Sequence, residues 1–169
     1  MIKIDSKGPV IFKQNRVGKN KEIFTIYKFR TMVENAENKG SGFYVKENDD
    51  RITRVGNFLR KTSLDELPQL YNVLKGDMSL VGPRPTLKYQ VDEYDDFEEL
   101  RLNVKPGITG WAQVNGRNIL SWPEKIKLDV WYVKNRSLLL DIKILIKTIK
   151  ILFTHKVYSD SSFDDDYEK

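Results

Sequence analysis

Apolar residues in the first thirty positions cluster in a way that predicts two β-strands. Residues 10–12 form a short apolar run, and residues 22–29 form a second one that is rich in isoleucine and phenylalanine. The residues between them include Gly18 and Asn20, which favour a turn. We therefore predict a β-hairpin, followed by a polar, glycine-containing surface loop over residues 34–50.

The middle of the chain shows helical periodicity. Apolar positions among arginines at residues 51–61 predict a short amphipathic helix, and residues 65–75 repeat the pattern. Gly76 is a natural end for the second helix. The sequence Gly-Pro-Arg-Pro at residues 82–85 predicts an extended segment, because the prolines disfavour a helix. Residues 87–103 predict a third helix, whose many acidic side chains form a solvated face.

The last part of the chain predicts two helices, at residues 122–135 and 138–153, after a glycine-rich stretch at residues 106–117. The final helix is mostly leucine, isoleucine and phenylalanine, with three lysines spaced four and three residues apart on one face. Its length of about 24 Å is less than the roughly 30 Å hydrocarbon core of a membrane. The pattern fits either a helix that lies in a membrane interface or a core helix with one wet face.

Composition and charge indicate one globular domain with an anionic partner. The chain has 169 residues, enough to bury a core, and 40% of them are hydrophobic. The net charge is +5, but residues 160–169 hold five acidic residues and one lysine, which leaves 28 basic and 19 acidic residues, or +9, in the rest. A basic body with an acidic, mobile tail favours nucleic acid, a membrane surface or a phosphorylated substrate.

Cysteine and histidine are almost absent, which excludes several kinds of site. The chain contains no cysteine and one histidine, His155. Disulfides, thiolate catalysis and zinc sites built from these residues are therefore excluded. His155 follows the last hydrophobic helix and is interpreted as a surface residue. The sequence also contains no P-loop, dinucleotide-binding or nucleophile-elbow motif.

Asp65 and Glu66 are adjacent acids at the predicted start of the helix over residues 65–75. One interpretation is structural: Asp65 caps the helix and Glu66 complements its dipole, while Pro68 stands where its missing N–H costs no bond. A weaker variant makes Ser63 the cap, in a capping box with Glu66. The other interpretation is catalytic, because carboxylates beside cations suit chemistry on a phosphate.

Basic residues in separate motifs favour the catalytic interpretation, and they are Lys28, Arg30, Arg60, Arg84 and Arg117. Taken singly, each is explained as a surface charge. If they converge, they predict a diphosphate site in which one carboxylate attacks phosphorus and forms an acyl-phosphate. Glu66 with Mg²⁺ would neutralise the substrate, because hard oxygen ligands suit this ion. The two prolines beside Arg84 stiffen it for bidentate phosphate binding.

Four strings in the chain resemble the successive signatures of the bacterial sugar transferases, the monotopic polyprenyl-phosphate phosphoglycosyl transferases. They are Lys-Phe-Arg-Thr-Met at residues 28–32, Ser-Leu-Asp-Glu-Leu-Pro-Gln at 63–69, Ser-Leu-Val-Gly-Pro-Arg-Pro at 79–85, and Lys-Pro-Gly-Ile-Thr-Gly-Trp at 105–111, which continues to Gly-Arg at 116–117. The match runs in order from about residue 6 to residue 153, and four independent strings in one chain are very specific.

The resemblance implies an activity and a set of site residues. The activity is transfer of a sugar-1-phosphate from a UDP-sugar to polyprenyl (undecaprenyl) phosphate, with release of UMP, which initiates capsule, exopolysaccharide, O-antigen or glycoprotein glycan synthesis. Asp65 is expected to form a covalent phosphosugar intermediate and Glu66 to hold Mg²⁺. Lys28, Arg60, Arg84 and Arg117 match the family's basic positions around the nucleotide diphosphate. Arg30, from the list of basic residues above, is predicted to bind substrate with them.

The resemblance also implies a fold and partners. The expected fold is α+β, with a small β-hairpin or sheet element and several short amphipathic helices, in a monotopic membrane-associated catalytic domain over residues 1–157. Residues 158–169 are expected to form the acidic tail. The implied partners are the UDP-sugar, the polyprenyl phosphate and the anionic membrane interface, and no nucleic acid.

The resemblance is incomplete at the N-terminus. Family members carry a hydrophobic re-entrant helix that dips into one leaflet, and this chain begins where that helix would end. We therefore expect a truncated soluble form, or a shortened variant, of a protein from the cytoplasmic face of the bacterial inner membrane. The family context favours the interfacial interpretation of the helix over residues 138–153. The alternatives are a non-catalytic basic domain that binds nucleic acid or anionic membrane, and a truncated inactive paralogue.

Overall fold

The computed structural model describes residues 1–38, 49–116 and 119–153. Most of the predicted loop over residues 34–50, together with Arg117, His155 and the acidic tail, lies outside the described residues. The expectations for those parts therefore stay predictions, as does the domain boundary near residue 157.

The fold is α+β, as the sequence predicts, and combines two small sheets with helices. The strands are β1 (Ile11–Val17), β2 (Ile23–Phe29), β3 (Ser79–Val81) and β4 (Gly107–Thr109). The helices are α1 (Ile2–Asp5), α2 (Arg54–Lys61), α3 (Gln69–Lys75), α4 (Lys88–Val91), α5 (Asp96–Glu99), α6 (Trp111–Val114), α7 (Trp122–Asn135) and α8 (Leu138–Phe153). Single 3₁₀ turns occupy Lys19–Lys21, Ala36–Asn38, Leu64–Glu66 and Leu100–Asn103.

The predicted hairpin is confirmed, with a longer first strand than the apolar run indicated. β1 pairs antiparallel with β2 from Ile11 opposite Phe29 to Val17 opposite Ile23. The turn contains Asn20 and Lys21 with positive φ angles, and asparagine is among the residues that adopt this conformation most readily. The hairpin carries Lys28 near the end of its second strand.

The glycine-rich stretch, to which no element was assigned from the sequence, supplies β4, which pairs in parallel with β3, Ser79 opposite Gly107 and Val81 opposite Thr109.

The prediction of a single acidic helix over residues 87–103 is wrong. The segment is instead divided into α4, α5 and a 3₁₀ turn. It breaks because Asp95 is extended and starts α5 with a capping box, in which its side chain accepts from the Glu98 N–H.

Helices α2, α3, α7 and α8 agree with the sequence pattern. α2 begins after Thr53, whose side chain accepts from the Gly56 N–H, so it starts three residues later than predicted. α3 ends at Gly76, which has a φ of 89° and donates its N–H to carbonyls of the last turn, as expected of a C-terminal glycine.

Helix α3 is docked on β2 by the side chain of Asn72, which is completely buried. Its Oδ1 accepts from the Tyr27 N–H at 3.2 Å, and its Nδ2 donates to the Thr25 carbonyl at 2.7 Å. The carboxamide therefore bonds the free edge of β2 as a neighbouring strand would, and satisfies backbone groups that burial would otherwise leave unpaired. This contact fixes the segment that contains the acid pair against the strand that carries Lys28.

Three hydrophobic clusters form the core of the described residues. The largest joins the end of β1 to α4, the 3₁₀ turn at 100–103 and α7, and contains Val17, Val91, Tyr94, Leu102, Trp122, Ile126 and Val130. A second joins β2 to the residues after α3 through Phe24, Ile26 and Met78. The third joins β3, α7 and α8 through Val81, Tyr132 and Ile144.

Helix α8 has both buried and exposed apolar side chains, and its membrane-interface interpretation stays a prediction. Ile144 is fully buried, as in a core helix. Six other apolar side chains on the same helix are 40–80% exposed, and they are Leu138, Leu139, Ile142, Ile146, Ile149 and Leu152. Among the helices in the described ranges, none has the length and apolar character needed to cross a membrane.

We predict that Gly56→Ala destabilises the fold, because α2 lies directly on the backbone of the residues after β2. A Cβ at this position would lie 1.9 Å from the Thr31 carbonyl oxygen. Overpacking of this kind costs about 1–3 kcal/mol, which outweighs the gain of about 1 kcal/mol from replacing glycine in a helix. Urea denaturation should show the loss. The neighbouring, exposed Asn57→Ala is the control, and equal midpoints for the two variants would contradict the prediction.

Candidate active site

The acid pair lies in a 3₁₀ turn between α2 and α3, and both capping interpretations are wrong. Ser63 precedes the turn in the left-handed conformation, with a φ of 55°, and makes no side-chain capping bond. Pro68 occupies the N-cap position of α3, also without a side-chain bond. The left-handed residue turns the chain sharply after α2, and the proline separates the 3₁₀ turn from the helix. The two carboxylates are therefore not used as caps.

Glu66 forms the centre of a charge cluster. Its Oε1 accepts from Lys28 Nζ at 3.0 Å and from Arg84 Nη2 at 2.9 Å. The Glu66 and Lys28 side chains are only 15% and 18% exposed, so the pairing is screened less than at the surface. Burial raises the pKa of Glu66, but the charges of Arg84 and Lys28 outweigh burial and hold that pKa well below its usual range.

At Lys28, unlike at Glu66, burial outweighs the attraction of the opposite charge. Burial lowers the pKa of its ammonium group, and repulsion from Arg84 and Arg16 adds to the shift, while Glu66 opposes it. The Lys28 ammonium group is thus partly desolvated and lies near two further positive charges, so that binding of an additional anion beside it would be favourable.

Asp65 differs from its neighbour in both contacts and acidity. No hydrogen bond or ion pair joins its carboxylate to another residue in the described ranges. Burial, followed by repulsion from Glu66, raises the pKa of Asp65, against the attraction of Lys28, Arg60 and Arg84. Adjacent carboxylates whose environments push their pKa values apart are suited to different roles.

The structure brings together three of the five predicted basic residues. Lys28 and Arg84 contact Glu66, and Arg60 acts on Asp65 through its charge. The Arg60 Nη1 is buried and has no hydrogen-bond partner among the described residues. A buried donor of this kind is costly unless an acceptor reaches it, and a phosphate oxygen would be such an acceptor.

Arg30, which was predicted to converge with the other basic residues on the substrate, lies elsewhere. Its guanidinium is buried and donates to the backbone carbonyls of Lys7, Ser6 and Ile2. No hydrogen bond or ion pair among the described residues joins it to Asp65 or Glu66. The structure thus gives Arg30 the role of anchoring the N-terminal segment. Arg117 lies outside the described residues, so its predicted role stays a prediction.

Two arginines near the site were missed at the sequence level. Arg16 bonds Gln14 and the Pro85 carbonyl, and its charge acts on Lys28. Arg101 is buried and donates to the Arg84 carbonyl. Neither lies in a recognisable string: Arg16 is on β1 and Arg101 sits in a stretch that reads as a solvated acidic helix. Only the tertiary structure places them beside the segment at residues 84–86.

The acid pair offers a limited set of metal ligands. No group of three or more Asp, Glu, His or Cys residues that suits a metal ion is found within the part of the chain that the structure describes. One oxygen of Glu66 is engaged by two cations, whereas its other oxygen and the Asp65 carboxylate bond no described residue. Mg²⁺ is commonly bound by one or two carboxylates together with substrate phosphates. The residues present therefore fit this ion when a phosphate supplies further oxygens.

The arrangement combines an unpaired carboxylate, a paired one and three neighbouring cations on a partly buried turn. Such a site can bind a diphosphate through the cations and present the Asp65 oxygen to a phosphorus atom. The catalytic interpretation of the acid pair requires this chemistry, and it stays a prediction.

Comparison with known proteins places the chain in a family. The family described as "Bacterial sugar transferase" matches residues 1–155. "Uncharacterized sugar transferase EpsL" of Bacillus subtilis is 51% identical over 150 residues, which cover 89% of this chain and 73% of that protein.

Two larger relatives carry more specific names. "UDP-N-acetylgalactosamine-undecaprenyl-phosphate N-acetylgalactosaminephosphotransferase" of Aeromonas hydrophila is 50% identical over 91% of this chain and 38% of its own length. "Undecaprenyl-phosphate galactose phosphotransferase" of Salmonella typhimurium is 46% identical over 86% of this chain and 33% of its own length.

The chain thus spans 73% of the first relative but only 38% and 33% of the other two. The family match covers all four strings on which the resemblance was based. The resemblance is therefore confirmed, and the chain belongs to the bacterial sugar transferase family.

Proposed function

We propose that this chain transfers a sugar-1-phosphate from a UDP-sugar to polyprenyl phosphate and releases UMP. The observation that carries the proposal is the division between the two acids: Glu66 is paired with Lys28 and Arg84, while Asp65 beside it is unpaired among the described residues. The names of the relatives support the choice of donor and acceptor, since two of them are undecaprenyl-phosphate phosphotransferases.

In the first half-reaction, a carboxylate oxygen of Asp65 attacks the phosphorus that carries the sugar. The bond from that phosphorus to the bridging oxygen breaks, UMP leaves with the electron pair, and an aspartyl phosphosugar remains. Burial raises the pKa of Asp65, which indicates that the carboxylate is poorly solvated and so a better nucleophile. In the second half-reaction, an oxygen of the polyprenyl phosphate attacks the same phosphorus and releases Asp65.

The cations hold the diphosphate and offset charge that develops on the leaving UMP. Arg60 supplies a buried, unpartnered Nη1, while Lys28 and Arg84 already converge on Glu66. Glu66 orients both of these cations, and it would also be the principal protein ligand for Mg²⁺. When bound, Mg²⁺ supplies neutralisation of the diphosphate oxygens.

Access to a polyprenyl acceptor requires the chain to sit at a membrane surface, and we place it at the cytoplasmic face of the bacterial inner membrane. Exposed apolar side chains on α8 would enter the interface, including Leu139 at 80% and Ile146 at 50% exposure. A helix with an apolar face and lysines beside it has the composition of an interfacial helix.

Asp65→Asn should abolish turnover, because the amide cannot attack phosphorus. We expect UMP release from a matching UDP-sugar, with undecaprenyl phosphate in detergent and Mg²⁺, to fall by about 10³-fold or more. Wild-type protein incubated with donor alone should gain the mass of a sugar phosphate and exchange labelled UMP, and Asp65→Asn should do neither.

The matched control is Asp92→Asn, because Asp92 is an exposed acid paired with Lys88 and distant in sequence from the pair. It should retain wild-type rates. The donor panel should cover several UDP-sugars, and the acceptor assay should be repeated with an N-terminal membrane helix fused to the chain. An Asp65→Asn protein that turns over normally would exclude the covalent mechanism. A wild-type chain inactive in every arm would favour an inactive paralogue.

Glu66→Gln tests the proposed role of Glu66 in binding Mg²⁺ separately from the role of Asp65 as the nucleophile. It keeps the shape of the side chain but removes the charge that Mg²⁺ and the two cations share. We expect the Mg²⁺ concentration for half-maximal UMP release to rise by about 10–100-fold. Glu99→Gln is the control, since Glu99 forms an exposed pair with Lys21 and was not predicted to bind metal. Unchanged Mg²⁺ dependence in Glu66→Gln would remove this residue as a ligand.

Leu139→Glu should weaken binding to vesicles of phosphatidylcholine and phosphatidylglycerol. Burying a leucine contributes about 1.5–3 kcal/mol, so the affinity of the variant for vesicles should be lower by about tenfold or more. A vesicle flotation assay measures this affinity from the fraction of protein that floats with the vesicles. The control is Ile23→Glu, an exposed apolar residue of the hairpin, which should float like the wild type. Equal losses in the two variants would contradict docking through α8.

A further inference from the structure

Arg101 and Asp129 form an ion pair in the protein interior. Arg101 Nη2 lies 2.6 Å from Asp129 Oδ2, and both side chains are 3% exposed. Asp129 belongs to α7, and Arg101 to the 3₁₀ turn after α5. The guanidinium also lies over the rings of Tyr94 and Trp122, with its Cζ 5.8 Å and 5.3 Å from their centroids. Neither residue belongs to the acid-pair cluster.

The same guanidinium reaches the backbone of the segment that carries Arg84. Arg101 Nη2 donates to the Arg84 carbonyl at 3.0 Å, and Nη1 donates to the Tyr94 hydroxyl at 2.6 Å. That hydroxyl donates in turn to Thr86 Oγ1 at 3.2 Å. Arg101 therefore holds the chain on both sides of Pro85, directly at residue 84 and through Tyr94 at residue 86.

The opposite side of this segment is held by β1. The Val17 N–H donates to the Thr86 carbonyl at 2.9 Å, and Arg16 Nη1 donates to the Pro85 carbonyl at 3.4 Å. The segment is thus clamped between the hairpin and the Arg101 side chain. The Arg84 side chain extends from this clamp to Glu66.

Stability alone explains the buried pair poorly. Desolvating two charges costs more than their attraction returns unless every remaining polar atom is bonded. Here Arg101 Nε and Asp129 Oδ1 are both buried without a hydrogen-bond partner among the described residues. A pair of apolar side chains of similar volume would avoid these losses, but it would leave the Arg84 carbonyl without its donor.

We infer that Arg101 is a positioning residue: held by Asp129, it fixes the backbone at Arg84 so that the Arg84 guanidinium is directed at Glu66 and at a bound diphosphate. This inference rests on the proposed function, because it assigns to Arg84 a contact with the donor. Asp129 acts one step further away, by fixing the orientation of Arg101 and balancing its charge.

The test is a double-mutant cycle on UDP binding, measured by calorimetry in the presence of Mg²⁺. One change replaces the buried pair by apolar residues, Arg101→Met with Asp129→Leu, and the other is Arg84→Ala. When Arg84 is unchanged, we expect replacement of the buried pair to weaken UDP binding by about tenfold. In the Arg84→Ala background, the same replacement should have almost no further effect, because the residue through which it acts is gone.

A purely structural role predicts a different result. If the buried pair served only to hold the fold, its replacement would reduce UDP affinity by the same factor in both backgrounds, and this outcome would overturn the inference. An unchanged affinity after replacement in the Arg84 background would also overturn it. The thermal unfolding midpoint of each variant is measured as well, to separate loss of stability from loss of UDP affinity. We expect replacement of the buried pair to lower UDP affinity even if it does not lower this midpoint.

Arg101→Lys provides a second cycle if the apolar pair does not fold. A lysine keeps the charge beside Asp129 but lacks the planar fork that bonds Asp129, Tyr94 and the Arg84 carbonyl together. Arg101→Lys should weaken UDP binding when Arg84 is unchanged, and it should not weaken UDP binding further when it is combined with Arg84→Ala. Wild-type chain that binds no UDP would overturn the proposed function along with this inference, whereas normal wild-type binding with an additive cycle would overturn the inference alone.

Discussion

Asn72 makes the hydrogen bonds on which the position of the acid pair depends. Its buried carboxamide accepts from the Tyr27 N–H and donates to the Thr25 carbonyl, so that α3 is attached to the edge of β2. Lys28 follows immediately on that strand, and the acid pair precedes α3 by two residues. Since a carboxamide bonds two backbone groups in a defined geometry, the distance between Lys28 and Glu66 is set by the fold rather than by two flexible side chains.

The second cation reaches Glu66 from a different part of the chain. Arg84 follows β3, whose parallel pairing with β4 connects it to the glycine-rich stretch, and its backbone is held by Arg101 and by β1. The cluster therefore joins the hairpin, the turn before α3 and the segment after β3. Because the cluster is partly buried, its charges act strongly on one another, and the neighbouring acids acquire opposite pKa shifts.

Local sequence rules predicted the elements better than their boundaries. The hairpin, α7, α8 and the stop at Gly76 follow from apolar periodicity and turn residues. The acidic stretch failed as one helix because a local capping box at Asp95, together with burial of Tyr94, overrode its helical composition. The capping interpretation of Asp65 failed because the left-handed Ser63 and Pro68 redirect the chain on either side of the pair.

The sequence by itself determined the α+β class, the family and the acid pair as the candidate centre, because these depend on strings of adjacent residues and on periodicity. The tertiary structure decided which cations meet the acids. In it, Lys28 and Arg84 form ion pairs with Glu66. Arg30 instead donates to the N-terminal backbone, and Arg101 donates to the Arg84 carbonyl. Lys28 and Arg84 are 38 and 18 positions from Glu66, and only long-range packing and strand pairing bring them to 3.0 Å and 2.9 Å from it, for which a single sequence carries no local signal.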